Sequence, residues 1–275
     1  MRQLIFLNLF LISSFSLAQS GSSSDTVPIE APGSTASSFG VSLETTSFSY
    51  QESHMKDSGT LNGFNVFGKY KFSPSFSLNG NLNYLQGGVQ YDGQLMSGTP
   101  IKTDEHYDVL DLAANGEFLT ELSQEVNISF LVGLGRRVTT DANDPNPYDY
   151  KRIHTYNYYS LMGQIVIPHN EKSATTTYLG IESMLSGHVQ TYLSDVDPRL
   201  PDLDMKFDGG SAFKLGISHS RKFDFGTVFA GVNYKKWTLN KSELSQPVWT
   251  GSKYEIFVEP QNTTTVIALD AGLVF

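Results

Sequence analysis

The chain has 275 residues, a formal charge of −9, 39% hydrophobic content, 24 glycines, 18 phenylalanines, 14 tyrosines and no cysteine. The acidic balance excludes a protein that binds through the phosphates of nucleic acid, and the missing cysteines exclude a disulfide framework. Length and a wealth of strand and turn formers fit one large all-β domain.

Met1 to Ala18 carries a basic Arg2, an apolar run from Leu4 to Leu11 broken by Asn8, and small residues at Ser16 and Ala18 before Gln19. This is the layout of a secretory signal peptide, with cleavage expected after Ala18. Its apolar stretch is too short for a spanning helix, and no cysteine follows to carry a lipid. Residues 19–37 are rich in Ser, Gly and Pro and lack periodicity, so a flexible periplasmic tail is expected there and the folded domain over 38–275. No later stretch offers the ~20 apolar residues of a transmembrane helix. A membrane protein of this sequence must therefore be a barrel, the other structure that satisfies every backbone group in lipid.

From Ser38 onward, ten segments alternate polar and apolar with period two, the signature of strands that face lipid on one side. They run Ser38–Tyr50, Leu61–Phe72, Phe76–Tyr91, Tyr107–Phe118, Val126–Val138, Tyr150–Ile167, Thr175–His188, Phe207–Arg221, Phe225–Leu239 and Thr263–Phe275. Alternation places Phe64, Val66, Tyr70 and Phe72 outward in the second, Leu110, Leu112, Ala114 and Phe118 in the fourth, and Leu179, Ile181 and Leu185 in the seventh, with Tyr178, Glu182 and Ser186 opposite. Short links at Phe72–Ser75, Leu119–Glu125, Pro168–Ser173 and Lys222–Asp224 alternate with long ones at Gln51–Thr60, Asp92–His106, Thr139–Asp149, Val189–Lys206 and Asn240–Asn262. Short turns at one end and long loops at the other define a transmembrane, antiparallel, up-and-down barrel of ten strands.

The same parity points Glu44, Lys69, Lys71, Asp111, Glu117, Arg137, Arg152, Glu182, Lys214, Lys235 and Asp270 inward. Ten strands enclose a narrow lumen, and near-balanced charge in a confined space favours mutual pairing over an ion-selective pore. A lumen largely filled by a polar, hydrogen-bonded plug is expected.

The last segment sets Ile267, Leu269, Ala271, Leu273 and Phe275 on one face. Apolar outward, ending on an aromatic residue and preceded by a secretion signal, it resembles the closing strand of bacterial outer-membrane β-barrels. That resemblance implies residence in the outer membrane among lipid and lipopolysaccharide, and insertion by the barrel assembly machinery through these five residues. The stretch Gly133, Leu134, Gly135, Arg136 and Arg137, with Tyr148, Asp149, Tyr150, Lys151 and Arg152 and then Tyr156, Tyr158 and Tyr159, is similar to uncharacterised proteobacterial outer-membrane barrels. Its tyrosines read as an interfacial girdle, or as an exposed surface for a carbohydrate or protein ligand.

Catalytic signatures are sparse. Barrel lipases pair a histidine with a serine two residues on; the residues two beyond His54, His106, His154, His169, His188 and His219 are Lys56, Asp108, Tyr156, Glu171, Gln190 and Arg221. The architecture is similar to that of omptins, which need an acidic pair facing an Asp and His pair across the lumen. Asp104, His106, Asp108, His188 and Asp195 are available at the rim, without that family's motifs around them. Asp195, Asp197, Asp202, Asp204 and Asp208 crowd one loop but miss calcium-loop spacing and read as a solvated acidic loop. No catalytic residue, metal or cofactor is assigned. The leading expectation is a non-enzymatic barrel serving envelope structure or surface interaction through its loops. A narrow, porin-like small-solute channel is the rival, and an omptin-like rim hydrolase the third reading.

Overall fold

The computed structural model describes residues 37–94, 98–123, 126–142, 150–251 and 253–275. The expected signal peptide, the tail as far as residue 36, the end of the Leu119–Glu125 link and the pair Tyr148 and Asp149 lie outside the described residues.

Among the described residues there are thirteen strands: β1 Ser38–Gln51, β2 Lys56–Ser73, β3 Phe76–Gln94, β4 Pro100–Ser123, β5 Val126–Ala142, β6 Arg152–Asn170, β7 Ser173–Thr191, β8 Leu203–Lys206, β9 Gly210–Phe223, β10 Gly226–Leu239, β11 Val248–Trp249, β12 Tyr254–Glu255 and β13 Asn262–Val274. Ten of them pair antiparallel in the order β6-β5-β4-β3-β2-β1-β13-β10-β9-β7, and β6 pairs with β7 to close the ring. The expected ten-stranded, closed, up-and-down barrel is therefore the fold. At the seam β1 meets β13, with Leu43 opposite Ala271 and Glu44 opposite Asp270. Beyond the ladder, the Phe39 N–H donates to the Phe275 carbonyl at 3.2 Å and the Phe275 N–H to the Phe39 carbonyl at 2.8 Å.

The two faces of the wall differ sharply. Leu43, Phe72, Phe118, Phe130, Leu134, Leu179, Ile217, Val232 and Leu269 are exposed on the outside, while Asn65, Asn79, Glu117, Ser129 and Glu182 are buried inside. An apolar surface this extensive is stable only against another apolar phase. On β4 the outward apolar positions run from Phe118 to Leu110, about the 9–11 residues a tilted strand needs to cross a bilayer's hydrocarbon. Above Leu110 the outward positions turn polar, with Asp108, His106, Asp104 and Lys102.

Several strands are longer than alternation alone suggested, because the wall continues past the apolar belt toward the long-loop end. β2 begins at Lys56, β3 reaches Gln94, β4 starts at Pro100 and β5 extends to Ala142. The eighth barrel strand starts at Gly210 instead of Phe207. Phe207 lies between β8, which pairs with β7, and the Ser242 segment. A bulge interrupts β6 and β7, so that Asn157 faces Ser186 and Tyr158 faces Met184. The extra residue shifts parity beyond Leu185, and Ser186 lies exposed on the outer face instead of opposite it, hydrogen-bonded by the Asn157 amide at 3.0 Å.

Candidate functional site: the charged lumen and its mouth

Three polar knots, separated by apolar layers, occupy the lumen. At the short-turn end Lys69 Nζ lies 2.9 Å from Glu117 Oε2. Ser77, Asn79 and Ser129 donate to the same carboxylate at 3.0, 2.9 and 2.8 Å. A buried charge needs such full satisfaction to be tolerated. Phe67, Phe229 and Val274 form one apolar layer nearby, and Leu131, Met162 and Tyr178 another.

The central knot joins more strands. Asp111 accepts from the Tyr158 hydroxyl at 2.6 Å and pairs with Arg137 at 3.3 Å. Lys235 lies 3.6 Å from Asp111 and 2.9 Å from Glu182, and Glu182 also pairs with Lys214 at 3.1 Å. Glu44 accepts from Thr46 and Asn83, at 2.9 and 2.7 Å, and Asp270 from Asn233 at 2.9 Å. These groups surround a polar cavity of about 90 Å³, room for a handful of waters.

Above it lie two apolar clusters. Phe48, Tyr50, Leu61, Leu85, Val89, Tyr107 and Val109 fill one side, and Tyr156, Tyr158, Val189, Met205, Phe207, Trp237 and Leu239 the other. Tyr156 and Tyr158 are thus lumen residues packed on Trp237, with centroids 4.9 and 5.6 Å away, and not part of an interfacial girdle. Of the three tyrosines following Arg152, Tyr159 alone keeps the outward, girdle position. Gly135 makes the Tyr158 placement feasible: a Cβ there would lie 2.2 Å from the Tyr158 ring. An inward glycine lets the facing tyrosine lie across the wall.

The third knot sits in the mouth and is built around Arg152. Its Nε lies 2.9 Å from Asp141 Oδ2, and its backbone N–H donates to Asp141 Oδ1 at 2.7 Å. Its Nη1 lies 3.0 Å from Glu52 and 3.4 Å from Glu259. Glu259 Oε1 is also 2.9 Å from His154 Nε2 and 3.2 Å from the Tyr50 hydroxyl, which donates to Glu52 at 2.7 Å. Below, the Tyr107 hydroxyl donates to Asp57 at 2.6 Å. Two loop carboxylates therefore converge on one strand guanidinium. Burial alone pushes the Glu259 carboxyl up, yet Arg152 and the His154 hydrogen bond hold it at about 2. Glu52 moves the other way: burial raises it above the usual carboxylate range against the pull of Arg152.

All ten inward charges named from sequence, and Lys71 with them, lie on the inner face, but not in one network. Arg152 belongs to the mouth, apart from Arg137, Asp111 and Glu182 in the centre. Alternation read only within the belt missed Asp57, Glu105, Asp141 and His154, all buried. The same two-residue step carried further finds them, from Leu61 to Asp57, from Tyr107 to Glu105, from Arg137 to Asp141 and from Arg152 to His154. Glu259 reaches the mouth by tertiary folding of its loop and leaves no trace in the local pattern.

The rim candidates do not face one another across the lumen. Asp104, His106 and Asp108 point outward from β4, with His106 3.8 Å from Asp108. His188 is bonded to Asp204 at 2.9 Å on the outside, and Asp195 accepts from the Lys151 N–H at 3.2 Å. The acidic loop is ordered by local contacts: Arg199 wraps Asp197, and Ser194 donates to Asp202. Hydrogen bonding and charge from Arg199 bring Asp197 down to about 2. Among the described residues no three His, Cys, Asp or Glu side chains converge as metal ligands.

No protein-family model and no curated protein matches the chain. Among solved structures, the outer membrane protease OmpT from Escherichia coli aligns with a TM-score of 0.55 and 7% identity, over 92% of this chain and 99% of that one. The transport unit of the autotransporter AIDA-I from Escherichia coli aligns at 0.45 and 10% identity, over 90% and 93% of the two chains. Ail, the attachment invasion locus protein of Yersinia pestis, aligns at 0.32 and 12%, over 86% and 98%. At 7% identity the likeness to OmpT is one of fold, and with its apolar belt and closed antiparallel ring the chain has the fold of an outer-membrane β-barrel.

Proposed function

We propose that this chain is an integral outer-membrane protein whose lumen is closed by its own side chains, and that it serves envelope structure or surface interaction through its long loops. The observation that supports this reading is the series of paired charges and packed apolar clusters along the bore. Between the Lys69–Glu117 pair and the Arg152 knot lie ion pairs, two apolar clusters and a central cavity of only about 90 Å³. Residues 1–18 serve as the export signal and 19–37 as a periplasmic tail. Ile267, Leu269, Ala271, Leu273 and Phe275 face outward on the closing strand, where the barrel assembly machinery reads them. Outer-membrane lipid and lipopolysaccharide surround the belt, and an extracellular ligand would meet the loops.

Planar-bilayer recording of the refolded protein tests this reading. A closed lumen gives no stable conductance steps. Sustained, ion-selective steps from the parent protein would overturn it in favour of the small-solute channel, and turnover of peptide or lipid substrates would favour the rim hydrolase.

A further inference from the structure

At the short-turn end the outer wall carries a polar feature that the lumen does not explain. His169 on β6, Thr175 on β7 and His219 on β9 stand side by side, directly beyond the exposed apolar Ile167 and Ile217. His169 Nε2 lies 2.8 Å from Thr175 Oγ1 and His219 Nδ1 lies 3.3 Å from the same oxygen. The two rings stack with centroids 5.7 Å apart and planes inclined by 27°. A hydroxyl carries one proton, so Thr175 donates to one ring and accepts from the other. Whichever way this relay runs, one neutral imidazole keeps its N–H on the nitrogen remote from Thr175.

Arg221 follows His219 by two residues and shares its face, with its guanidinium 5.6 Å from the Phe223 ring. Lys172 lies in the β6–β7 turn and Lys222 near the end of β9, on the opposite face of that strand from Arg221; their backbones are joined by a 2.7 Å hydrogen bond. Glu171 lies in the same turn as Lys172 and Asp224 just after β9, yet among the described residues no ion pair joins any of the three cations to a carboxylate. The turn at Ser73–Phe76, elsewhere on the same end of the ring, has no charged residue. In a chain of net charge −9 this is a local concentration of cations and N–H donors, placed where the apolar belt ends. That is the depth of lipid headgroups. A guanidinium suits the paired oxygens of a phosphodiester, and Ile167, Ile217 and Phe223 offer apolar surface to the attached acyl chains.

We propose that this face, centred on Arg221 with His169, Thr175 and His219, binds the phosphodiester headgroup of a glycerophospholipid in the leaflet on the short-turn side. The proposal rests on the membrane placement given above. The refolded barrel is reconstituted with phosphatidylglycerol or with phosphate-free diacylglycerol, and retained lipid is counted by native mass spectrometry after detergent extraction. Heat-modifiable migration of each sample first establishes that the barrel has folded. The parent is expected to retain phosphatidylglycerol at least fivefold over diacylglycerol. Arg221→Gln, and separately the pair His169→Asn with His219→Asn, should lose that excess, while Arg136→Gln at the opposite edge of the belt should keep it. Equal retention by parent and both variants, or of the two lipids, overturns the proposal with the barrel reading intact. A parent that never inserts into vesicles overturns the membrane placement and this site with it.

Discussion

His154 Nε2 and Glu259 Oε1 lie 2.9 Å apart in the barrel mouth, joining the wall to a loop residue 105 positions further along the chain. The loop is held there by more than this contact. The Ser242 N–H donates to the Glu259 carbonyl at 2.9 Å, the Glu259 N–H to Ser242 Oγ at 2.9 Å, and Ser242 bridges to Phe207. Glu259 is therefore the inward anchor of the 240–261 loop, which carries the exposed pair Trp249 and Tyr254.

Removing that anchor should release the loop. Glu259→Ala leaves Arg152 and His154 short of a buried partner and should cost about 3–5 kcal/mol. Urea unfolding in vesicles measures the loss, and limited proteolysis within 240–261 should accelerate. Glu259→Gln retains the hydrogen-bonding shape without the charge and should cost less. A Glu259→Ala protein as stable and as protease-resistant as the parent would show that the mouth knot does not hold the loop.

Acid should undo the same latch in a defined window. Glu259 sits at about 2 against an ordinary 4.5, so the native state binds its proton less readily than the unfolded chain does. Its stabilisation is complete above about 4.5 and declines as pH falls toward 2. Glu52, raised by burial, contributes with the opposite sign, because it accepts a proton more readily when folded. Protonating it also removes repulsion from Glu259. Hydrogen exchange of the loop should thus stay slow from pH 7 to 5 and quicken below 4.5, and Glu259→Gln should flatten the lower limb. Loop exchange that quickens between pH 7 and 5 would contradict this assignment.

The lipid face makes a separate demand. Arginine at Val232, outward within the belt, should cost about 2–4 kcal/mol, and at Ile128, opposite Thr120 near the short-turn edge, less. Ser129, one residue from Ile128, is buried against Glu117 and has no space for a long side chain. The informative change there is Ser129→Ala, which forfeits one hydrogen bond to a charged group, about 1.5–3 kcal/mol. Refolding titrations into vesicles compare the three; unaffected Val232→Arg and Ile128→Arg proteins would put the outer face in water.

Lys69 and Glu117 form the simplest pair for a double-mutant cycle. Lys69→Met alone strands a buried carboxylate, although three hydrogen bonds remain to it, and Glu117→Gln alone strands the ammonium. Both single changes should destabilise, while the double change should recover part of the sum, with a coupling of about 0.5–3 kcal/mol. Strict additivity would mean that the two charges do not interact.

Much of this architecture was legible because a strand with an apolar outer face and a polar inner face imposes a two-residue period on chemistry itself. Leu78 and Asn79, or Phe118 and Glu117, cannot exchange faces without placing an amide or a carboxylate on the apolar outer face. The upper wall was harder to read because its outer face is wetted: with Asp104, His106 and Asp108 outside, alternation persists only in the inward series Glu105, Tyr107 and Val109, and contrast is lost. Ser186 was misplaced because a bulge adds one residue without a local sequence signal. The convergence of Glu52 and Glu259 on Arg152 depends on loop packing, which no periodicity encodes.

The seam between β1 and β13 has a consequence in time. One edge of β1 pairs with β2, but the other finds its partners only in β13, and Gly272 lies so close to the first strand that a Cβ there would sit 2.3 Å from the Val41 carbonyl oxygen. Until that strand arrives, the growing sheet has two open edges, each a row of unpaired N–H and C=O groups able to capture another chain. Closure is a late event of high contact order, and slow for that reason. A bulky residue at Gly272 would accordingly appear less as a weakened finished barrel than as chains lost to aggregation before the ring shuts.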